Sequence, residues 1–493
     1  MLFTSLDFFL FLPLVLAVFA LTPVAQRWAV LLLASYVFYG YLRPFNLVYL
    51  GAVTLVIWGC GWGLGRATQK PMRVALFVLG LIAVLGSLTA FKFYDFIAGE
   101  IEHANLFANL KLPRLGITAP AGYSFYAFSA ASYLIDIYVG RLSGKQNLGQ
   151  MALFTAYFPK IFAGPIERAT NFLPQLLSGL QADPVRFALG LQLIGWGLFK
   201  KVVIADNLAP LVDHSFKIVA FAPPLELLIS TYFFAFQIYC DFSGYTDIAL
   251  GISSLFGLTL MENFRRPYLS RSTTEFWAER WHISLGSWFR DYLYIPLGGS
   301  RAGALRRAIN VMVVFLVSGL WHAGLGYGVG WTFLVWGALN GAYQWAGLAT
   351  RGLWRRVGEA LPRVAASAWL RVLRIVITFH LILLSWVFFR AGSMHDALLV
   401  LQKIGARLTD LPHLLTIYPF SAEQLTGFGL IAFLLVYEIV DERRPVFQRL
   451  AAAPVALRWG AYYLGIFALL LSAAGRRRNS FTCSSDRDID MTP

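Results

Sequence analysis

The chain has 493 residues, 58% of them hydrophobic and 14% charged, against roughly 25% charged in soluble domains. This hydropathy excludes the string of soluble domains that length alone suggests. The net charge of +15 is scattered as cations between apolar runs, which argues against a nucleic-acid surface and for the short cytoplasmic loops of a polytopic membrane protein.

The first element, MLFTSLDFFLFLPLVLAVFALTP, has no Lys or Arg ahead of its apolar run. It lacks the basic start of a secretory signal and reads as an uncleaved first span. Further runs suited to membrane helices follow at 28–42, 45–64, 74–94, 119–139, 186–204, 224–240, 244–260, 309–322, 327–349, 370–389, 424–440 and 456–474. Several are short against the roughly 20 residues that a perpendicular span needs. The expected fold class is therefore all-α, a polytopic protein of about 10–13 membrane helices with re-entrant segments. The loops holding Arg66, Lys70 and Arg73, and then Arg141 and Lys145, share one side if the N-terminus is outside, and that side reads as cytoplasmic. The membrane domain is expected over 1–475, with a polar, disordered tail at 476–493.

Two interruptions stand out before the centre of the chain. Residues 150–174 carry Pro159, Gly164 and Pro165 within an apolar run, beside Lys160 and Glu167. Proline breaks a helix, so this stretch reads either as a re-entrant segment lining a pocket or as an interfacial turn. Residues 237–248 place Asp241, Ser243, Tyr245 and Asp247 between apolar runs. They read as embedded functional acids or as a polar loop in which Asp241 or Ser243 caps the following helix.

Residues 272–322 are the stretch around which the rest is organised. Ser272 and Glu275 have capping-box spacing. Trp277, Trp281, Leu285, Trp288 and Tyr292 then recur at helical intervals, which predicts one amphipathic helix lying at the interface with its aromatics in the headgroup boundary. Pro296, Gly298 and Gly299 end it, and Arg301, Arg306 and Arg307 follow. An apolar helix over 309–320 then leads into Trp321-His322 and a glycine-rich turn.

The candidate chemistry narrows quickly. Cys60, Cys240 and Cys483 form no CxxC or metal spacing, so neither a disulfide framework nor a cysteine metal site is expected. The seven histidines are dispersed, and HExxH, GxSxG and P-loop patterns are absent, so no metal site is expected. What remains is imidazole, which accepts a proton near neutral pH. A buried, neutral His322 suits a general base that deprotonates a hydroxyl for attack on an activated acyl group. Equally, it reads as a histidine bonded to a neighbouring helix carbonyl. His282 also reads as an ordinary interfacial histidine, and His380 as a satisfied one in a hydrophobic run.

The segments FPKIFAGPIER (158–168), YCDFSGYTDIALGISSLFGLTLMENFRRPYLSRSTTEFWAERWHISLGSWFRDYLYIPLGGSR (239–301) and VSGLWHAGLGYGVGWTFLVWGALNG (317–341) resemble the membrane-bound O-acyltransferase (MBOAT) family, in its bacterial branch of alginate O-acetyltransferase membrane subunits. The resemblance implies a ring of tilted helices around a central tunnel. It also implies His322 as the catalytic histidine and His282 as the second motif position. Asp241, Arg280, Trp281, Arg290 and Trp321 are carried as candidate pocket residues. The implied reaction moves acetyl from a cytoplasmic thioester, acetyl-CoA, towards an extracytoplasmic polysaccharide, with no bound cofactor. A periplasmic acetyltransferase partner would complete the transfer, from an inner-membrane, multi-pass location. Alginate is the first expectation for the polymer, with cellulose, peptidoglycan and other exopolysaccharides open. The terminus RRRNSFTCSSDRDIDMTP departs from the apolar ending of that branch. Competing readings are a transporter or flippase of an acyl or lipid-linked sugar, suggested by the broken segment and embedded acids, and a scaffold for a periplasmic enzyme. Against a transporter of repeated halves, no second copy of FPKIFAGPIER is present.

Overall fold

The computed structural model describes residues 1–41, 43–103, 113, 119–181, 183–301, 303–323 and 330–485. Among these residues every regular element is helical, apart from one isolated antiparallel bridge between Phe264 and Trp281. Seven of the described helices are long and apolar enough to cross a bilayer, and Leu6–Leu21 is a shorter apolar helix. Their outward surfaces are apolar as well. The span Val455–Ser472 exposes Leu464, Phe467 and Leu471, as expected where the surrounding solvent is hydrocarbon and helices satisfy their own backbone.

The chain divides into two compact units, residues 1–187 with 252–398 and residues 188–251 with 399–493. In the first unit, Phe11, Phe38 and Phe158 pack with ring centroids 5.4–6.0 Å apart. They seat the interrupted segment at 150–174. It is a buried excursion between helices Leu148–Ala156 and Ala169–Leu177. Buried backbone must find partners, and serine side chains supply them: Phe158 N donates to Ser35 Oγ (3.1 Å) and Ile166 N to Ser284 Oγ (3.0 Å).

Helices Gly303–His322 and Gly330–Ala360 also belong to the first unit and pack antiparallel. Gly319 and Gly337 let them approach closely. A Cβ on Gly319 would stand 2.4 Å from the Phe333 carbonyl oxygen, and one on Gly337 2.5 Å from that of Phe315. Small residues at such crossings are how membrane helices gain contact without a hydrophobic driving force.

In the second unit, the polar stretch 237–248 is not a loop. It lies inside one continuous helix, Pro224–Leu255, that merges the two runs expected at 224–240 and 244–260. Its acids are paired. Asp247 Oδ2 accepts from Lys200 Nζ at 2.6 Å, and that ammonium also donates to Ser243 Oγ at 2.9 Å. At the other end of the chain, helix Val455–Ser485 continues into the segment expected to be a tail, and residues 486–493 lie outside the described residues.

Candidate active site

The segment expected as one interfacial helix is broken and buried. Ser272 Oγ caps it by accepting from Glu275 N (3.1 Å), but the Glu275 carboxylate accepts from Arg271 N rather than closing the box on Ser272. One turn later the backbone widens to a π-helix over Phe276–Arg280. Trp281 is extended and bridges to Phe264, with Arg265 N donating to Arg280 O at 2.9 Å. His282 is left-handed (φ 45°, ψ 51°) and starts helix Ile283–Phe289, and a second π-helix covers Arg290–Tyr294. These phase changes turn the aromatic stripe inward. Trp281 is 4% exposed, Trp288 7% and His282 3%.

Asn263 fixes His282. Its Oδ1 accepts from Ser284 N (3.3 Å) and Ser284 Oγ (2.9 Å) and lies 3.0 Å from His282 Nδ1. An atom that accepts a backbone N–H is the amide oxygen, so His282 Nδ1 is the donor and carries the proton, leaving the lone pair on Nε2. Burial pushes the His282 pKa down to about 3, so this ring is neutral.

His322 ends helix Gly303–His322. The last carbonyls of a helix lack internal partners and favour a cation. Lys92 Nζ, from helix Ser87–His103, donates to the Trp321 carbonyl and lies 5.2 Å from the Trp321 ring centre. The His322 ring is held edge-to-face by Trp321, Trp336 and Phe389, at 4.6, 5.2 and 5.3 Å. Its Nδ1 is buried with no hydrogen-bond partner among the described residues, yet the residue is partly exposed. The accessible edge is therefore the opposite one. Trp321 links the two histidines, lying 6.2 Å from the His282 ring.

His282 and His322 line one cavity of about 320 Å³, together with Trp281 and Arg290. Along helix Gly303–His322 its wall runs from Val311 to His322, about 16 Å at 1.5 Å per residue. The other predicted residues are placed differently. Trp321 packs behind the wall, stacked on Phe128 at 5.5 Å. Arg280 is held by Glu275 (2.8 Å) and by the carbonyls of Arg265 and Arg266. Asp241 lies in the second unit, paired with Lys201. The glycine-rich turn after His322 falls at 324–329, outside the described residues. Among the described residues no three His, Cys, Asp or Glu side chains converge as metal ligands.

Sequence reading missed Asn263, Lys92, Trp336 and Gln344. Lys92 carried a signal, being a lysine inside the apolar run 74–94, where charge is costly and marks a partner or a site. Asn263 carried none, because it sits in an irregular stretch without period.

Residues 140–387 match the family model described as MBOAT, membrane-bound O-acyltransferase family. The chain is 36% identical over 466 residues to a probable alginate O-acetylase of Azotobacter vinelandii, covering 92% of this chain and 88% of that protein. It is 32% identical to a peptidoglycan O-acetyltransferase of Helicobacter pylori, covering 83% and 81%. Identity to a teichoic acid D-alanyltransferase of Streptococcus thermophilus is 28%, covering 56% and 69%.

Proposed function

The chain is a member of the membrane-bound O-acyltransferase family and a multi-pass membrane O-acyltransferase, and from that premise we propose that it acetylates an extracytoplasmic polysaccharide, alginate, from a cytoplasmic acetyl thioester, acetyl-CoA. Two of the relatives above are named for acetyl transfer, to alginate and to peptidoglycan. The inner membrane is the location this direction requires.

The observation that carries the reading is the cavity shared by His282 and His322. The cavity holds about 320 Å³ and runs about 16 Å along helix Gly303–His322. It suits a thioester arm entering lengthwise, with Arg290 at the wall to attract donor phosphates. The reacting end then lies at His322. The accessible ring nitrogen takes the proton from an acceptor hydroxyl, and the oxygen bonds to the acyl carbon. Collapse breaks the carbon–sulfur bond, and the departing thiolate recovers the proton from the imidazolium. The products are an ester and a free thiol. His282, locked in one tautomer by Asn263, positions the reacting end. The acceptor hydroxyl reaches the acyl group from the far side, where a periplasmic acetyltransferase completes delivery to the polymer.

The test is His322→Ala in producing cells, with polymer acetylation measured at matched protein levels. Loss of acetylation is expected, and wild-type acetylation overturns the proposal.

A further inference from the structure

A second cavity lies away from the two histidines, within the first unit. It holds about 610 Å³ between helix Leu6–Leu21, the turn that follows it and the stretch around Gln181. Leu16, Ala17 and Ala20 line it from the helix, and Val24, Phe187 and Leu255 extend the apolar wall. Ala17 and Ala20 are exposed, as are Val24 (40%) and Phe187 (36%). The cavity is therefore a groove that opens outward, towards the surrounding hydrocarbon.

One end of this groove is polar. Arg27 and Gln181 line it just beyond the end of the first apolar helix, the level at which a bilayer passes from hydrocarbon to headgroups. Arg27 Nε donates to Thr22 O (3.1 Å) and Nη1 to Leu180 O (2.8 Å), and the guanidinium lies 4.9 Å from the centre of the Phe19 ring. These contacts hold the planar fork in one orientation and leave further N–H donors of the guanidinium unused. None is to a carboxylate, and among the described residues Arg27 has no ion-pair partner. Arg27 also opens helix Arg27–Gly40, where the macrodipole disfavours a cation. A half-buried guanidinium kept there without a counter-charge suits an anion from outside the chain. Gly257 fixes the backbone of Gln181 beside it. Its φ is 79°, and a Cβ there would stand 2.2 Å from the Gln181 carbonyl oxygen.

We infer that this groove binds an anionic glycerophospholipid, with the phosphate on Arg27 and one acyl chain along Val24, Ala20 and Leu16. Charge and shape argue for it together. A free phosphate would use the guanidinium and leave the apolar wall uncovered, and an uncharged lipid would do the reverse. Basic pockets between membrane helices take lipid headgroups, and the arginine fork accepts two phosphate oxygens at once. A zwitterionic phospholipid carries the same phosphate with a cation beside it, which Arg27 repels, so net charge is the property selected. This site is separate from the cavity of His282 and His322 and does not depend on the proposed donor.

The experiment reconstitutes the full chain into phosphatidylcholine vesicles that contain a trace of radiolabelled lipid with a photoactivatable group in its acyl chain. The tracer is either phosphatidylglycerol or phosphatidylcholine, and the labelled peptides are mapped after irradiation. The expected result is label from phosphatidylglycerol on residues 16–27, about tenfold above that from phosphatidylcholine, the worth of one charge-assisted hydrogen bond. Arg27→Gln should remove that preference. Ala20→Phe changes an exposed position and leaves the Arg27 contacts in place. It should fill the groove and bring phosphatidylglycerol labelling down to the phosphatidylcholine level. Unlabelled phosphatidylglycerol should compete, and inorganic phosphate should not. Equal label from the two lipids, a preference that survives either substitution, or competition by inorganic phosphate overturns the proposal. So does label that falls as protein density in the bilayer rises, which would put a second copy of this chain on the groove.

Discussion

Gly319→Ala separates what the helix crossing does for stability from what it does for chemistry. The added methyl would stand 2.4 Å from the Phe333 carbonyl oxygen. Carbon–oxygen contacts settle at about 3.3–3.6 Å, so the two helices must part by about 1 Å at that level. Overpacking of this kind costs about 1–3 kcal/mol, and replacing glycine by alanine in a helix returns about 1 kcal/mol. The net loss is small enough for the protein to fold and insert. His322 lies three residues further on, held against Trp336 and Phe389 by contacts of 5.2 and 5.3 Å. Trp336 rides on the helix being pushed away. A displacement near 1 Å at a reacting group can cost about a hundredfold in rate. The expected outcome is a normal membrane level, a thermal midpoint lowered by a few degrees, and acetyl transfer reduced about a hundredfold. Gly352→Ala on the same partner helix, where a Cβ meets nothing within 4 Å, is the control and should transfer at the wild-type rate. Gly319→Ala transferring within twofold of wild type would refute the claim that this crossing sets the position of His322.

Asn263→Ala removes the acceptor shared by His282 Nδ1 and Ser284. At about 1 kcal/mol per bond it should lower stability by about 2–3 kcal/mol and transfer at least tenfold, read by thermal melting and polymer acetylation. His282→Gly should melt no lower than His282→Ala, since the left-handed conformation at φ 45° costs a non-glycine residue about 1–2 kcal/mol; a more stable alanine variant would contradict that turn. Lys92→Met deletes the cation on the Trp321 carbonyl. A charge-assisted bond worth about 1.5–3 kcal/mol sets an expected rate loss of tenfold or more, partly recovered by Lys92→Arg, both measured as initial rates of acetyl transfer.

Which parts of this molecule were readable follows from how each signal is encoded. Hydropathy is written in composition, so the helical class and the embedded position of His322 were legible. The long motifs around residues 158–168, 239–301 and 317–341 carried the family. The environment of His282 was not legible. Trp277, Trp281, Leu285, Trp288 and Tyr292 have the spacing of one helical face, and periodicity assumes an unbroken backbone. Two π-helices and a left-handed residue at 282 rotate that face from the interface into the protein. A π-turn inserts a residue into the hydrogen-bond ladder without any composition that announces it.

Charged residues within apolar runs were only half legible, and the reason is physical. A lone carboxylate at membrane depth is costly, whereas one with a partner is not, and the partner need not be near in sequence. Asp247 looked like part of a loop because Lys200 lies 47 positions earlier, yet the two meet at 2.6 Å and the helix passes through unbroken. Lys92 solves the same problem with a helix end, donating to the Trp321 carbonyl 229 positions away. The pairings differ in consequence. The Lys200–Asp247 pair neutralises itself and is available to hold helices together. Lys92 closes the helix end one residue from His322. Lys92→Met should therefore act on transfer through the placement of His322, and Lys92→Arg, which keeps a donor for the same carbonyl, should recover part of the rate.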